Sequence, residues 1–449
     1  MQSKTIPVRF GHGHVDLRLP ESAAVLQPPP VAALADPCSA IRHALAHPVG
    51  SAALDDAVAA ARPRSVAIAV SDITRPVPNQ ILLPPIMDTL NRQQIGDDQI
   101  VIIIATGMHR PSTAAERERM LGPEIERRCE IIDHQADDLS SVREVCHDPP
   151  VRINRRFLDA DYRIVTGLIE PHFMAGYSGG RKGICPGLAD LATVQRFHGY
   201  HVMNDPRADN GVLDGNPCHE EALRVARLAG CHFLVNVAIT HDRQTAGVYC
   251  GNLEAAHLAG CREVGRWSGV QLTAPFDLVV TNGGGYPLDA TYYQTVKGMV
   301  SALPATHANS TLVVLSSCHE GVGSPEYCRL MQRWGRDWRN FMARIRNCDN
   351  VEKDQWELQM QVRALAKLGA DRVCLACDGL PLATQEAMGI RPIAGAGDAV
   401  TRCQQFVERY VEAHPAARVA VIPEGPYTMI QSRSGAADPT TGTGSRGAA

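Results

Sequence analysis

Short, nearly continuous runs of Val and Ile recur along this chain, and they constrain its fold more than any other feature. A strand that is buried on both faces shows such a run, whereas a half-exposed strand alternates apolar and polar residues. Turn-forming residues bound each run. The runs are "RSVAIAVSD" (64–72), "QIVIIIATG" (99–107), "YRIVTGL" (162–168), "FLVNVAIT" (233–240), "FDLVVTNGGG" (276–285), "STLVVLSS" (310–317), "RVCLACDG" (372–379) and "ARVAVIPEG" (417–425).

Helical patterns lie between these runs. Strands that alternate with helices predict an α/β fold in which mainly parallel sheets are flanked by helices. The first 20 residues instead predict a small β hairpin. The helical patterns span 82–94, 220–229, 254–266, 325–346 and 397–413.

The stretch "LTAPFD" (272–277) predicts a boundary between two α/β lobes, because a turn-forming Pro separates a helical pattern from a new strand. We predict a first lobe over 1–271 that carries the cofactor loop, and a second lobe over 272–412. The strand region over 413–431 is a candidate to return to the first lobe. Residues 432–449 contain no large apolar side chain and are predicted to be a disordered tail. The active site is expected in the cleft between the lobes.

The charge and hydropathy of the chain exclude some classes of partner. A net charge of −4 gives no electrostatic footprint for nucleic acid or an anionic membrane. No apolar run reaches the about 18 residues that a membrane span needs, and the N-terminus lacks the apolar core of a signal peptide. The 14 cysteines are scattered singly, as expected of thiols in a reducing compartment. A cytoplasmic protein without nucleic-acid or membrane partners is expected.

Polar side chains follow several of the predicted strands. In open parallel sheets, ligands bind outside the carboxyl ends of the strands. A helical pattern after the run at 276–285 carries two further polar residues, which are three apart and therefore share a helix face. The convergence predicts an active site. Its candidate residues are Asp72, Arg75, His109, His172, Gln294 and Lys297.

The glycine-rich stretch "GYSGGRKG" (176–183) contains Gly179, Gly180 and Lys182. Its backbone N–H groups can form a cradle for phosphate, although the spacing is not that of a Walker motif. Alternatively, Lys182 forms a Schiff base with a carbonyl cofactor, or acts only as a phosphate counter-ion. In a purely structural interpretation, the glycines turn the chain and the lysine is solvated. The spacing alone leaves these alternatives open.

Taken together, the motifs resemble the nickel-pincer-nucleotide-dependent lactate racemase family. They are spread from about residue 70 to residue 356, and their order agrees with that family. The ten-residue step from His172 to Lys182 and the sixteen-residue step to His198 agree as well. The motifs are "DITRP", "TGMHR", "PHFMAGYSGGRKGICPG", "YYQTVKGM" and the "DQW" at 354–356.

The resemblance implies a cofactor derived from nicotinic acid mononucleotide, in which nickel is bound through one carbon and two sulfur atoms. It implies that Lys182 is joined to this cofactor as a thioamide and that His198 is the protein's nickel ligand. It further implies that His109 and His172 are the acid/base pair. The remaining pocket residues are Asp72, Arg75, Gly179 and Gly180 on the cofactor side, with Arg75, Gln294, Lys297 and Trp356 on the substrate side.

This set suits the racemisation of a small 2-hydroxy acid. The Cα–H of such a substrate is a very weak acid, but its removal as hydride leaves a stable 2-keto acid. Inversion requires the keto acid to present its other face, so its oxygen then meets a different base, and two histidines meet that need. Arg75 suits bidentate binding of the substrate carboxylate, and Lys297 adds positive charge. Enzymes that make the cofactor are the implied protein partners.

Two alternatives remain open at the level of sequence. The same cofactor could serve C2 epimerisation of a longer, acidic or sugar 2-hydroxy acid, with Arg110 or Arg181 binding an extra carboxylate. A protein of another class, a non-catalytic binder of nucleotides or anions, would tolerate His109→Ala.

Overall fold

The computed structural model describes residues 2–348 and 351–432. The strands are β1 (Ser3–Phe10), β2 (Gly13–Pro20), β3 (Ala24–Val25), β4 (Val66–Ser71), β5 (Ile100–Ala105), β6 (Glu130–Asp133), β7 (Val142–His147), β8 (Pro150–Asn154), β9 (Tyr162–Leu168), β10 (Pro171–His172), β11 (Gly176–Tyr177), β12 (Phe233–Ile239), β13 (Thr245–Gly251), β14 (Gly269–Leu272), β15 (Phe276–Asn282), β16 (Thr306–Leu315), β17 (Val373–Ala376), β18 (Arg391–Pro392), β19 (Val419–Val421) and β20 (Met429–Ser432). The α-helices are α1 (Pro37–Ala46), α2 (Leu54–Ala61), α3 (Asn79–Arg92), α4 (Ala114–Leu121), α5 (Pro123–Arg128), α6 (Arg155–Asp159), α7 (Leu191–Phe197), α8 (Tyr200–Met203), α9 (Pro217–Ala229), α10 (Leu253–Ser268), α11 (Tyr292–Ser301), α12 (Pro325–Trp334), α13 (Trp338–Ile345), α14 (Gln355–Leu368), α15 (Leu382–Ala387) and α16 (Ala399–Ala413).

The predicted α/β architecture is confirmed. The first lobe is built on a six-stranded sheet of order β13-β12-β9-β4-β5-β6, which is parallel except for β13. The central strands β4 and β5 are buried over almost their whole length. Such strands bury both faces, so their sequences are continuous apolar runs. Each of the eight runs identified in the sequence overlaps one of the observed strands, although β16 begins four residues before the run at 310–317.

The second lobe is built on another six-stranded sheet, of order β18-β17-β16-β15-β19-β3, in which every pairing is parallel. The hairpin of β1 and β2 forms as predicted. It packs on the second sheet together with α16, because Val8, Leu17 and Leu19 join a cluster with residues of β15 and β19. This placement of the first 25 residues differs from the sequence-based division, which assigned 1–271 to one lobe.

The strand region near the C-terminus is divided between two sheets. β19 pairs with β15 in the second sheet, whereas β20 pairs with β14, the strand at the end of α10. Met429 at the start of β20 packs against Ile169 and Tyr177 of the first lobe. The chain therefore crosses back to the first lobe near its end. The predicted disordered tail lies outside the described residues, apart from Ser432 in β20.

One hydrophobic cluster joins the two lobes, since it contains residues of β4, β5 and β9 as well as residues of β15 and β16. The predicted helix over 325–346 is two helices, α12 and α13. Gly335 lies between them, and a Cβ there would stand 2.5 Å from the carbonyl oxygen of Ala387. The close approach of that backbone requires glycine at this position, where α12 ends. No helix in the described part of the chain has the length and apolar character to cross a membrane.

Candidate active site

The carboxyl ends of the first sheet's strands meet at a cavity of about 150 Å³ between the two lobes. Asp72 and Arg75 follow β4, His109 follows β5, and His172 lies in β10 just after β9. A wider cleft of about 620 Å³ shares His109 and Gln294 with the cavity. The structure thus brings together nearly every residue predicted for the site. Those that line the cavity are Asp72, Arg75, His109, His172, Gly179, Lys182, His198, Gln294, Lys297 and Trp356.

His109 is held by a short hydrogen bond, in which its Nδ1 lies 2.6 Å from Oδ2 of Asp72. Burial alone would raise the pKa of Asp72, but His109, the Thr74 hydroxyl and Arg75 lower it below its ordinary value of 3.8. The carboxylate is therefore ionised and accepts the Nδ1 proton of His109. This arrangement leaves Nε2 of the half-exposed imidazole with its lone pair. It is the geometry of a general base whose ring is oriented by a carboxylate.

His172 is buried, and its environment is positively charged. The backbone N–H groups of Met174 and Ala175 point at its Nδ1 from 3.4 and 3.3 Å. Nδ1 is thus an acceptor, which places a ring proton on Nε2. Burial lowers the pKa of His172 well below its usual value, and the cations of Lys182 and Lys297 lower it further. The imidazole is neutral in this state, with a donor at Nε2.

Lys182 lies in a single turn of 3₁₀-helix over Gly180–Gly183, with its ammonium nitrogen 5.8 Å from the ring centre of Phe197. Burial, together with the nearby cations of Arg181 and Arg75, lowers the pKa of Lys182 to about 7. A substantial fraction of this amine is therefore uncharged near neutral pH, and an uncharged amine is a nucleophile.

Gly180 serves the packing of the loop and does not line the cavity. Its N–H donates to the buried side chain of Asn236 at 2.7 Å, and its φ is +54°. A Cβ at this position would stand 2.5 Å from Cγ of His257. The neighbouring Gly179 does line the cavity, so only one of the two glycines predicted for cofactor binding faces that space.

Arg181 is buried, and within the described part of the chain it forms no ion pair with a carboxylate. Its guanidinium donates to the carbonyl oxygens of Tyr177 and Ala175 at 2.9 and 2.6 Å, and it lies 3.1 Å from His257. Arg181 therefore stabilises the glycine-rich loop through these hydrogen bonds without lining the cavity. Arg110 makes two hydrogen bonds to Glu116, at 2.8 and 2.7 Å. Neither arginine is free to bind an extra substrate carboxylate.

His198 follows the last residue of α7. The N-cap of this helix is Asp190, whose side chain accepts from the N–H of Thr193. Nδ1 of His198 lies 2.8 Å from the carbonyl oxygen of Val194, so it carries the proton and Nε2 keeps a lone pair. The ring packs 4.5 Å from Trp356. Burial lowers the pKa of His198 to about 3, and the imidazole is neutral.

The second lobe contributes α11 and α14 to the cavity. Gln294 and Lys297 lie on α11, and Trp356 lies near the start of α14, where its indole N–H donates to the Tyr293 hydroxyl at 2.8 Å. Sequence reasoning missed Glu357, which also lines the cavity and is 1 % exposed. Burial raises the pKa of its carboxyl, while the Lys297 cation acts in the opposite direction.

A second missed residue is Glu170, which follows β9. Its Oε1 lies 3.3 Å from Nε of Arg75, and both side chains are largely buried. One edge of the Arg75 guanidinium is therefore held by protein. The only signal in the sequence was the position of Glu170 two residues before His172.

The protein supplies few ligands for a metal ion. Within residues 2–348 and 351–432, no group of three or more His, Cys, Asp or Glu side chains is arranged to hold one. A metal bound by His198 would need its other ligands from a cofactor.

Two family models match the chain. The model described as the lactate racemase N-terminal domain matches residues 10–211, and the model of the lactate racemase C-terminal domain matches residues 272–430. Curated relatives include a lactate racemase of Thermoanaerobacterium thermosaccharolyticum, which is 30% identical over 88% of this chain and 90% of its own length. Another, from Lactiplantibacillus plantarum, is 33% identical over 87% of this chain and 90% of its own length.

Solved structures agree with these matches. The lactate racemase apoprotein of T. thermosaccharolyticum superposes with a TM-score of 0.84 at 28% identity, covering 95% of this chain and all of that one. A crystal structure of a Thermotoga maritima protein superposes with a TM-score of 0.66 at 17% identity, covering 89% of this chain and 99% of that one. The second likeness concerns the fold alone.

Proposed function

The chain belongs to the lactate racemase family and is an isomerase, and we propose that it racemises a small, lactate-like 2-hydroxy acid. The observation that supports this proposal best is the pairing of two imidazoles in one cavity. His109 presents a lone pair at Nε2, whereas His172 carries a proton at Nε2. Racemisation needs one group to accept the hydroxyl proton of the substrate and another to return a proton on the opposite side.

The residues of the cavity fit a nickel-pincer nucleotide. Lys182 offers an amine with a lowered pKa for covalent attachment, and Nε2 of His198 offers one nitrogen ligand. The other ring nitrogen of His198, Nδ1, donates a hydrogen bond to the backbone carbonyl oxygen of Val194. Metal-binding histidines usually make such a hydrogen bond with the nitrogen that does not bind the metal. Gly179 lines the cavity at φ +71°, and a Cβ at this position would stand 2.7 Å from Oδ1 of Asn236. When bound, this cofactor would supply a ring carbon that accepts the Cα hydrogen with its electron pair and returns it.

The side chains of the protein would handle the proton and the carboxylate. His109 accepts the hydroxyl proton at Nε2, and Asp72 stabilises the resulting imidazolium. The substrate carboxylate lies against the free edge of Arg75 and near Lys297. Its negative charge offsets the cations that lower the pKa of His172, so that this imidazole becomes easier to protonate and can act as the acid.

The experiment uses protein matured with nickel and the cofactor-making enzymes. Each enantiomer of lactate is supplied separately, and the product is resolved by chiral chromatography. The proposal predicts convergence of both samples to equal amounts of the two enantiomers. Unchanged enantiomeric purity across lactate and several other 2-hydroxy acids would contradict it.

An acidic substrate is disfavoured, because Arg110 and Arg181 are both engaged within the protein. A non-catalytic binder predicts ligand binding without turnover, and it predicts that His109→Ala retains full ligand binding.

A further inference from the structure

Arg75 binds the substrate carboxylate in the proposed mechanism, and one carboxylate of the protein holds its guanidinium. Oε1 of Glu170 lies 3.3 Å from Nε of Arg75, and within residues 2–348 and 351–432 no other carboxylate forms an ion pair with this arginine. The Nη1 group of Arg75 also donates to the carbonyl oxygen of Thr74 at 3.3 Å. These contacts leave the Nη2 side of the guanidinium for a ligand.

Glu170 is itself held by the glycine-rich loop. Its N–H donates to the Ser178 hydroxyl at 2.9 Å, and its carbonyl oxygen accepts the N–H of Ser178 at 2.9 Å. The side chain of Glu170 is 16 % exposed. The partner of Arg75 is therefore fixed to the same segment that carries Lys182 and His172.

Empty space on the far side of Arg75 makes this ion pair important. A gap of about 20 Å³ borders on Arg75, Glu170, Lys297 and Tyr427. A larger cavity of about 570 Å³ between the lobes borders on Glu170 and Tyr427 as well, but not on Arg75. An arginine side chain has many rotamers, so without its partner Arg75 could turn away from the active site toward this space.

Inversion of the substrate requires a carboxylate clamp that does not move. Between the loss and the return of the Cα hydrogen, the keto acid must present its other face. This turn exchanges the places of the oxygen and the C3 group between the two imidazoles. The carboxylate is the substituent that keeps its place, so the arginine that binds it must keep its orientation throughout.

We propose that Glu170 is a positioning residue for Arg75, whose ion pair fixes the guanidinium that binds the substrate carboxylate. This inference rests on the proposed racemase function, because that function assigns the carboxylate of a 2-hydroxy acid to Arg75. Glu170 acts through Arg75 and does not touch the substrate. If Glu170 acted only through its charge, its effect would have the opposite sign, since a negative charge near the site repels an anionic ligand.

Oxamate, an unreactive carboxylate that resembles pyruvate, tests this role without turnover. Its Kd for the nickel-loaded enzyme is measured by titration calorimetry. We expect Glu170→Gln to raise this Kd by about fivefold or more, because the isosteric amide lacks the charge that holds Arg75. Glu170→Asp keeps the charge and should raise the Kd by less. An unchanged or lower Kd in Glu170→Gln, or a Kd in Glu170→Asp as high as in Glu170→Gln, would overturn the inference.

A second background separates orientation from charge. The single ammonium group of Arg75→Lys can bind either Glu170 or the ligand, whereas the planar guanidinium of arginine can bind both. Glu170→Gln should therefore tighten oxamate binding in the Arg75→Lys background and weaken it in the wild type. The same change in both backgrounds would mean that Glu170 does not act through Arg75.

Glu424→Gln is the matched control. Glu424 borders on the larger cavity, as Glu170 does, but it pairs with Arg9. This substitution should change the Kd of oxamate by less than about twofold, because it leaves the ion pair of Arg75 intact. An effect as large as that of Glu170→Gln would contradict a specific role for Glu170.

Turnover gives an independent measurement. A carboxylate clamp contributes equally to the ground state and the transition state, so Glu170→Gln should raise KM for lactate by about fivefold or more and change kcat by less than about threefold. A fall in kcat without a change in KM would contradict a positioning role. Absence of racemisation with every 2-hydroxy acid, with oxamate binding as expected, would overturn the proposed function but not the role of Glu170.

Discussion

The 2.6 Å hydrogen bond between His109 and Asp72 allows one substitution to test the proposed proton chemistry. Asp72→Asn keeps the shape of the side chain but removes its charge. A hydrogen bond to a charged group contributes about 1.5–3 kcal/mol, which corresponds to roughly 10–150-fold in rate if the imidazolium forms in the transition state. The amide also offers a donor to Nδ1, so it no longer holds the proton on that nitrogen. We expect kcat/KM to fall by about 10–100-fold.

The fall in kcat/KM must be equal for the two enantiomers as substrates, because the equilibrium constant of a racemisation is one. The assay follows circular dichroism of each lactate enantiomer over time. Glu116→Gln is the control, because it breaks the ion pair of Arg110, the neighbour of His109, without touching the cavity lining. It should change kcat/KM by less than about twofold. A folded Asp72→Asn enzyme with wild-type activity would refute the reasoning.

Three further predictions concern the loop and the surface. Gly180→Ala should lower the free energy of unfolding by about 1–3 kcal/mol in urea, because φ is +54° and the new Cβ would overlap His257; an unchanged urea midpoint would argue against this. Peptide mapping of the active protein should show a mass increment on Lys182, and an unmodified lysine in fully active protein would exclude covalent attachment. Hydrogen bonds from Arg110 lower the pKa of Glu116 from 4.5 to about 2, so its contribution to stability is present above pH 4.5 and is lost as the pH falls toward 2. Glu116→Gln should therefore cost about 1 kcal/mol at pH 7, with a gap from wild type that closes over this range, whereas a constant gap would contradict the assignment.

The first sheet was predictable from the sequence, and so were most of the cavity residues that follow the carboxyl ends of its strands. A strand that is buried on both faces shows a continuous apolar run in the local sequence. The residues that directly follow such a strand lie at its carboxyl end, where ligands bind in open parallel sheets. Asp72, His109 and His172 were found in this way. His198 was identified through the resemblance to the lactate racemase family, by its sixteen-residue step from Lys182.

Other features depend on contacts between distant segments, which leave little local signal. Glu357 follows Trp356 on a helix of the second lobe, and nothing in its own neighbourhood shows that it faces the first lobe. Gly180 was grouped with Gly179 because the two are adjacent, yet only packing against His257 separates their roles. Likewise, the hairpin at the start of the chain packs on a sheet formed more than 250 residues later.

The central claim is that the Cα hydrogen leaves and returns as hydride while the imidazoles move only the hydroxyl proton. It is tested most directly with 2-deuterated lactate of one configuration, racemised by the nickel-loaded enzyme in ordinary water. Mass spectrometry of the separated enantiomers then reports the deuterium at Cα. We predict that the inverted product keeps its deuterium. Exchange of that label with solvent at the rate of racemisation would contradict the account.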